Sequence, residues 1–60
     1  MATKIDPIHV GDRFSDGRNV WQVIEVKPGG KLELFDKERC YFSMRYHREV
    51  REWERLLTAR

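Results

Sequence analysis

The chain has 60 residues, 40% of them hydrophobic and 37% charged, with 12 Lys and Arg against 10 Asp and Glu and a net charge of +2. That length makes one small domain, able to bury only about 60% of the surface its unfolded chain exposes, which leaves little room for an internal active-site pocket. A single cysteine, Cys40, excludes an internal disulfide, and no CxxC or Cys/His cluster offers a zinc staple, so compact secondary structure or self-association has to stabilise the fold.

Residues 1–8 are polar and end in Asp6-Pro7, which disfavours helix and favours an extended or turn conformation before Ile8, so a flexible arm is expected there. No basic stretch followed by a long apolar run opens the chain, and no apolar run approaches membrane-spanning length; a cytoplasmic protein with no membrane partner is expected. Residues 9–14, with Val10 and Phe14 around Gly11, read as a first short strand, and Asp16-Gly17 as a tight turn. Residues 20–27 make the best strand, with Val20, Ile24 and Val26 on one parity and Trp21 and Val23 on the other; apolar groups on both sides need cover on both sides. Pro28-Gly29-Gly30 suits a type II turn, which returns the chain into residues 31–36 with Leu32 and Leu34 on one face and Lys31, Glu33 and Phe35 on the other. A polar turn and a short last strand over residues 39–42 complete a β-meander spanning residues 9–42, in which Cys40 reads as a buried, inert thiol.

Residues 43–58 carry a helical pattern. Tyr46, Val50, Trp53 and Leu57 recur at spacings of four, three and four, Ser43 stands where an N-cap would, and neither Gly nor Pro interrupts the run. The expected fold is therefore α+β: a small antiparallel β-meander of three or four strands, an SH3-like or chromo-like half-barrel, packed by one C-terminal α-helix, all within a single domain of residues 1–60. Archaeal chromatin proteins of the seven-kilodalton class share that outline and bind DNA, a comparison of architecture alone. Asp12-Arg13-Phe14-Ser15-Asp16-Gly17-Arg18, followed by a Val-rich strand and a C-terminal segment rich in aromatic residues and arginine, resembles short prophage-encoded proteins of unknown function that open with an Asp-Arg-aromatic-x-Asp pattern. The resemblance implies a mobile-element origin and brings no assigned activity or site.

Charge is divided unevenly. Residues 1–38 hold six Lys or Arg against seven Asp or Glu, and residues 39–60 hold six Arg against three Glu, so the C-terminal third suits a polyanionic or acidic partner. On a helical wheel Arg48, Arg51 and Arg55 share the face opposite the apolar stripe, to serve either as a solvated surface or as an anion-binding one. Phe35 and Tyr41, near Lys31, Lys37 and Arg39, make a second candidate, either an aromatic platform rimmed by cations or a face covered by the helix or a dimer partner. Trp21 and Trp53 read as core anchors, and Asp12 and Asp16 as turn formers rather than paired catalytic carboxylates. His9, His47 and Cys40 match no common catalytic or zinc spacing, so neither catalytic residues, nor a metal, nor a cofactor is expected. The expectation is a non-enzymatic binding protein that takes nucleic acid through a basic and aromatic surface; the alternatives are an interaction module docking on an acidic protein partner, or a structural homodimer that completes its sheet by edge pairing, the chain otherwise being a monomer.

Overall fold

The computed structural model describes residues 7–56. Five antiparallel strands form one sheet: β1 (Arg13–Ser15), β2 (Val20–Lys27), β3 (Lys31–Asp36), β4 (Tyr41–Tyr46) and β5 (Glu54–Leu56), with a single-turn helix, α1 (His47–Val50), ahead of the last strand. The spatial order is β4-β3-β2-β1-β5, so four consecutive strands meander and the fifth returns to pair with the first.

Local chemistry sets each reversal. Asp16 Oδ1 accepts hydrogen bonds from the backbone N–H groups of Arg18 (2.9 Å) and Asn19 (2.8 Å), fixing the β1–β2 turn. Pro28–Gly30 forms a 3₁₀ turn between β2 and β3 in which Gly29 and Gly30 both hold φ near +80°, a region closed to most side chains. In β2 the register against β3 slips between Val23 and Glu25. That bulge explains why the strand looked apolar on both sides: Trp21 and Val23 face inward before it, and the extra residue, Ile24, resets the alternation so that Val26 lies opposite Leu32.

One side of the sheet carries the core. Phe14, Trp21, Val23, Leu32 and Leu34 come from the strands, Ile8 from the segment preceding them and Val50 from α1, with Trp53 packed against the margin.

Several expectations are corrected. The helix expected over residues 43–58 does not form across its described part, residues 43–56, which holds instead the end of β4, one turn of α1, and β5. The helical spacing was genuine but served different elements, since Tyr46 ends a strand, Val50 plugs the core and Trp53 sits in the following turn. Phe42-Ser43-Met44-Arg45-Tyr46 also alternates apolar and polar residues, and that period of two wins because β3 offers a ladder along its whole length whereas an isolated helix must bear its own nucleation cost. The sheet accordingly has a fifth strand beyond the four of the meander, and β1 starts only at Arg13. Ile8, expected in a flexible arm, is buried, and its neighbours are tied down by the His9 N–H donating to Asp12 Oδ2 (2.9 Å) and Arg55 Nη2 donating to the Pro7 carbonyl (3.1 Å); the rest of that expected arm, residues 1–6, and residues 57–60 with Leu57 lie outside the described residues. Cys40, expected in the core, is exposed in the β3–β4 turn with φ +52°.

Phe14→Ala should cost about 3–5 kcal/mol, comparable with the whole stability of so small a domain, and circular dichroism should find the variant unfolded at room temperature. Trp53→Ala, at the margin of the core, should lower Tm yet leave a cooperative melt.

Candidate functional site

The outer side of the sheet, opposite the core, presents the residues available for contact. In the β3–β4 ladder Phe35 stands opposite Phe42, Glu33 opposite Met44 and Lys31 opposite Tyr46, all on this outer side. Phe35 and Phe42 form a tilted pair with ring centroids 4.7 Å apart. Phe42, Met44 and Tyr46 remain 57%, 49% and 41% exposed, an apolar row along β4 at the end of the sheet. The Arg48 guanidinium lies 5.0 Å from the centre of the Tyr46 ring, a cation–π arrangement that shields one end of the row. On the other flank, Arg13, Val20, Gln22, Phe35, Lys37 and Glu38 line an open cleft of about 240 Å³.

This arrangement takes some of the expected site residues and separates others. Phe35, Lys31 and Lys37 belong to the outer side. Tyr41 and Arg39 do not: Tyr41 pairs with Asp36, whose side chain points toward the core, so Phe42 rather than Tyr41 is the neighbour of Phe35. Arg39 is already engaged, its Nε donating to Asp36 Oδ2 at 2.7 Å while its guanidinium covers the Trp21 ring at 5.4 Å and the Tyr41 ring at 5.1 Å. It closes the end of the core. Arg48, Arg51 and Arg55 form no common stripe, because the helix that would have aligned them is absent: Arg48 is in α1, Arg51 caps it and pairs with Glu52 (3.7 Å), and Arg55 is in β5. Arg55 has a structural task, donating from Nη1 to Asp12 Oδ2 (3.0 Å) and from Nη2 to the Pro7 carbonyl, with its guanidinium 5.0 Å from the centre of the Phe14 ring.

Phe42, Met44, Tyr46, Arg13 and Gln22 are the surface residues that sequence reasoning missed. The alternation in residues 42–46 was the available signal for the first three; Arg13 and Gln22 face each other across β1 and β2, a register no local pattern discloses.

Charge on the outer side is mixed. Arg13, Lys31 and Lys37 are accompanied by Glu25, Glu33 and Glu38, and Lys27 bridges Glu25 (3.5 Å) and Glu33 (4.0 Å). The perturbed carboxylates lie elsewhere. Asp36 is held below its ordinary pKa of 3.8 chiefly by the Arg39 side-chain hydrogen bond, with help from the backbone N–H groups of Arg39 and Glu38 and against the cost of burial. Asp16 is lowered first by the Asn19 backbone N–H and then by that of Arg18, with Trp21 Nε1 donating to its other oxygen at 3.1 Å. Among the described residues, no three His, Cys, Asp or Glu side chains are grouped to hold a metal ion, and no helix is long and apolar enough to cross a membrane.

No protein-family model, curated protein or solved structure matches the chain.

Both lowered carboxylates bind protons more weakly in the folded chain than in the unfolded one, so their contribution to stability is present above the ordinary carboxylate range and is lost as pH falls through it. Thermal melts should show Tm level from neutral pH to about pH 5 and falling below about pH 4. Asp36→Asn should lower Tm at neutral pH and flatten the acid limb; an acid limb as steep as that of the parent would show that the Arg39–Asp36 contact adds nothing to the fold.

Proposed function

We propose that the protein is a small binding module of the SH3-like type, working in the cytoplasm, that docks on another protein through the apolar row of β4 and the Phe35–Phe42 pair. The SH3-like reading is supported by the bulged β2, the helical turn before β5 and the return of β5 to β1. Architecture alone assigns no partner.

The observation that carries the reading is the exposure of Phe42, Met44 and Tyr46 on an end strand, beside a second aromatic ring. Contiguous apolar surface of this kind marks an interaction site in a small domain. The surrounding charges favour protein over nucleic acid. A phosphate track needs aligned cations, and with Arg39 and Arg55 paired to Asp36 and Asp12 and Arg48, Arg51 and Arg55 spread over α1, the turn after it and β5, the outer side keeps Arg13, Lys27, Lys31 and Lys37 among glutamates. Mixed charge around aromatic anchors is the composition of a protein interface. Arg13, Lys31, Lys37 and Arg48 then meet acidic side chains at the rim, and the aromatic residues supply most of the affinity.

The test is retention of a partner from cell extract by the immobilised protein at about 0.5 M salt, where exposed charge–charge attraction is largely screened. Phe42→Ala should weaken retention by about tenfold or more while leaving Tm within a few degrees, since the ring is largely exposed. Salt-sensitive binding of oligonucleotides that survives Phe42→Ala, with no retained protein, would overturn this reading in favour of nucleic acid.

A further inference from the structure

The two edges of the sheet are not equivalent. β5, at one edge, is three residues long and carries Glu54 and Arg55. β4, at the other, runs for six residues in unbroken register with β3, from Asp36↔Tyr41 to Lys31↔Tyr46. It contains neither Pro nor a bulge, and its one charged residue, Arg45 on the core side opposite Leu32, is paired with Glu49 of its own chain, so the usual devices that stop an edge from recruiting another strand are largely missing. Every second residue of β4 directs its N–H and C=O away from β3, and among the described residues no strand pairs with that side.

We infer that β4 pairs with β4 of a second copy of this chain, antiparallel, about a two-fold axis through Met44. The inference rests on the reading of β4 as a contact surface and names what occupies its edge. The row itself is symmetric about Met44. Paired residues must share a face if the two outer sides are to join, which admits axes through Ser43, Met44 or Arg45. An axis through Arg45 would oppose two guanidinium groups, and one through Ser43 would leave Tyr46 with no strand residue across from it. The axis through Met44 sets Phe42 against Tyr46 of the partner subunit, twice, and Ser43 against Arg45 of the partner subunit, so aromatic rings meet and like charges do not. Arg45 is moreover already neutralised by Glu49 of its own chain at 2.9 Å. The described N-terminal segment does not compete for this edge, since Arg55 on β5 holds the Pro7 carbonyl at the far side of the sheet. One strand pair covers less than the roughly 800 Å² per partner of a standard stable interface, so a weak dimer, with Kd on the order of 10–100 µM, is expected.

Sedimentation equilibrium across about 10 µM to about 1 mM, spanning that range, should show the mean mass of the full chain climbing from 7.3 kDa toward twice that value. M44E and M44K each place like charges on the axis and should hold the mass at that of one chain; M44K should leave Tm little changed, because Met44 is half exposed and faces Glu33 of its own chain, whereas M44E, which opposes that Glu33, should lower Tm modestly while staying folded. An equimolar mixture of the two should dimerise again, a rescue that requires Met44 to face itself. A parent chain that stays at 7.3 kDa throughout, an M44E variant that still dimerises, or a mixture no tighter than its components would each overturn the inference. Retention of another protein is read separately. A monomeric parent whose partner capture still depends on Phe42 removes the dimer and leaves the docking function; a dimer that M44E abolishes, with no other protein retained, does the reverse.

Discussion

The fold depends on Phe14, the middle residue of its shortest inner strand. β1 has only three residues, yet it is paired on both sides, with Phe14 opposite Trp21 on β2 and Arg55 on β5. The ring is 2% exposed, and the Arg55 guanidinium stacks over it while reaching Asp12 and the Pro7 carbonyl. Hydrophobic burial, cation–π contact and charge-assisted hydrogen bonds thus converge on one row of three side chains. A chain of 60 residues has little else with which to close its sheet, since its single cysteine forms no internal disulfide and the described residues hold no long packed helix.

Closing the inner side consumes cations. Arg55 serves Asp12, Arg39 serves Asp36 and covers Trp21 and Tyr41, and Arg45 serves Glu49. The basicity of residues 39–60, visible as a charge imbalance, is therefore largely spent on architecture. The outer side is left with rings, a thioether and balanced charge. Desolvating such a surface is cheap compared with stripping water from ions, so association there draws on apolar area and tolerates salt.

The strand from Val20 to Lys27, the Pro-Gly-Gly reversal, the inward Leu32 and Leu34, and the turn-forming Asp16 were legible because each rests on local propensity and a short period. The end of the chain was not. In residues 43–58 good helix formers and a period near 3.6 coexist with a two-residue alternation at residues 42–46, and local rules cannot weigh them. What decides is the unpaired edge of β1, a demand arising some forty residues earlier in the sequence, which Glu54–Leu56 satisfies. The site followed from the same decision: Phe35, Lys31 and Lys37 kept their face because β3 was read correctly, whereas the arginine stripe vanished with its helix and the β4 row emerged in its place.

The pairing of β1 with β5 also imposes an order of assembly. The β2–β3 and β3–β4 hairpins close over reversals of three and four residues, whereas Asp12 and Arg55 are 43 residues apart in the chain. Loop-closure entropy makes that distant contact the last to repay its cost. β5 is thus the last strand to join and the first to leave, and its departure strips Phe14 of its roof while the two hairpins persist. The half-open chain would lay bare the Phe14 ring and the backbone of β1, so the Arg55–Asp12 clasp guards the protein against exposing its core to other chains as well as against unfolding.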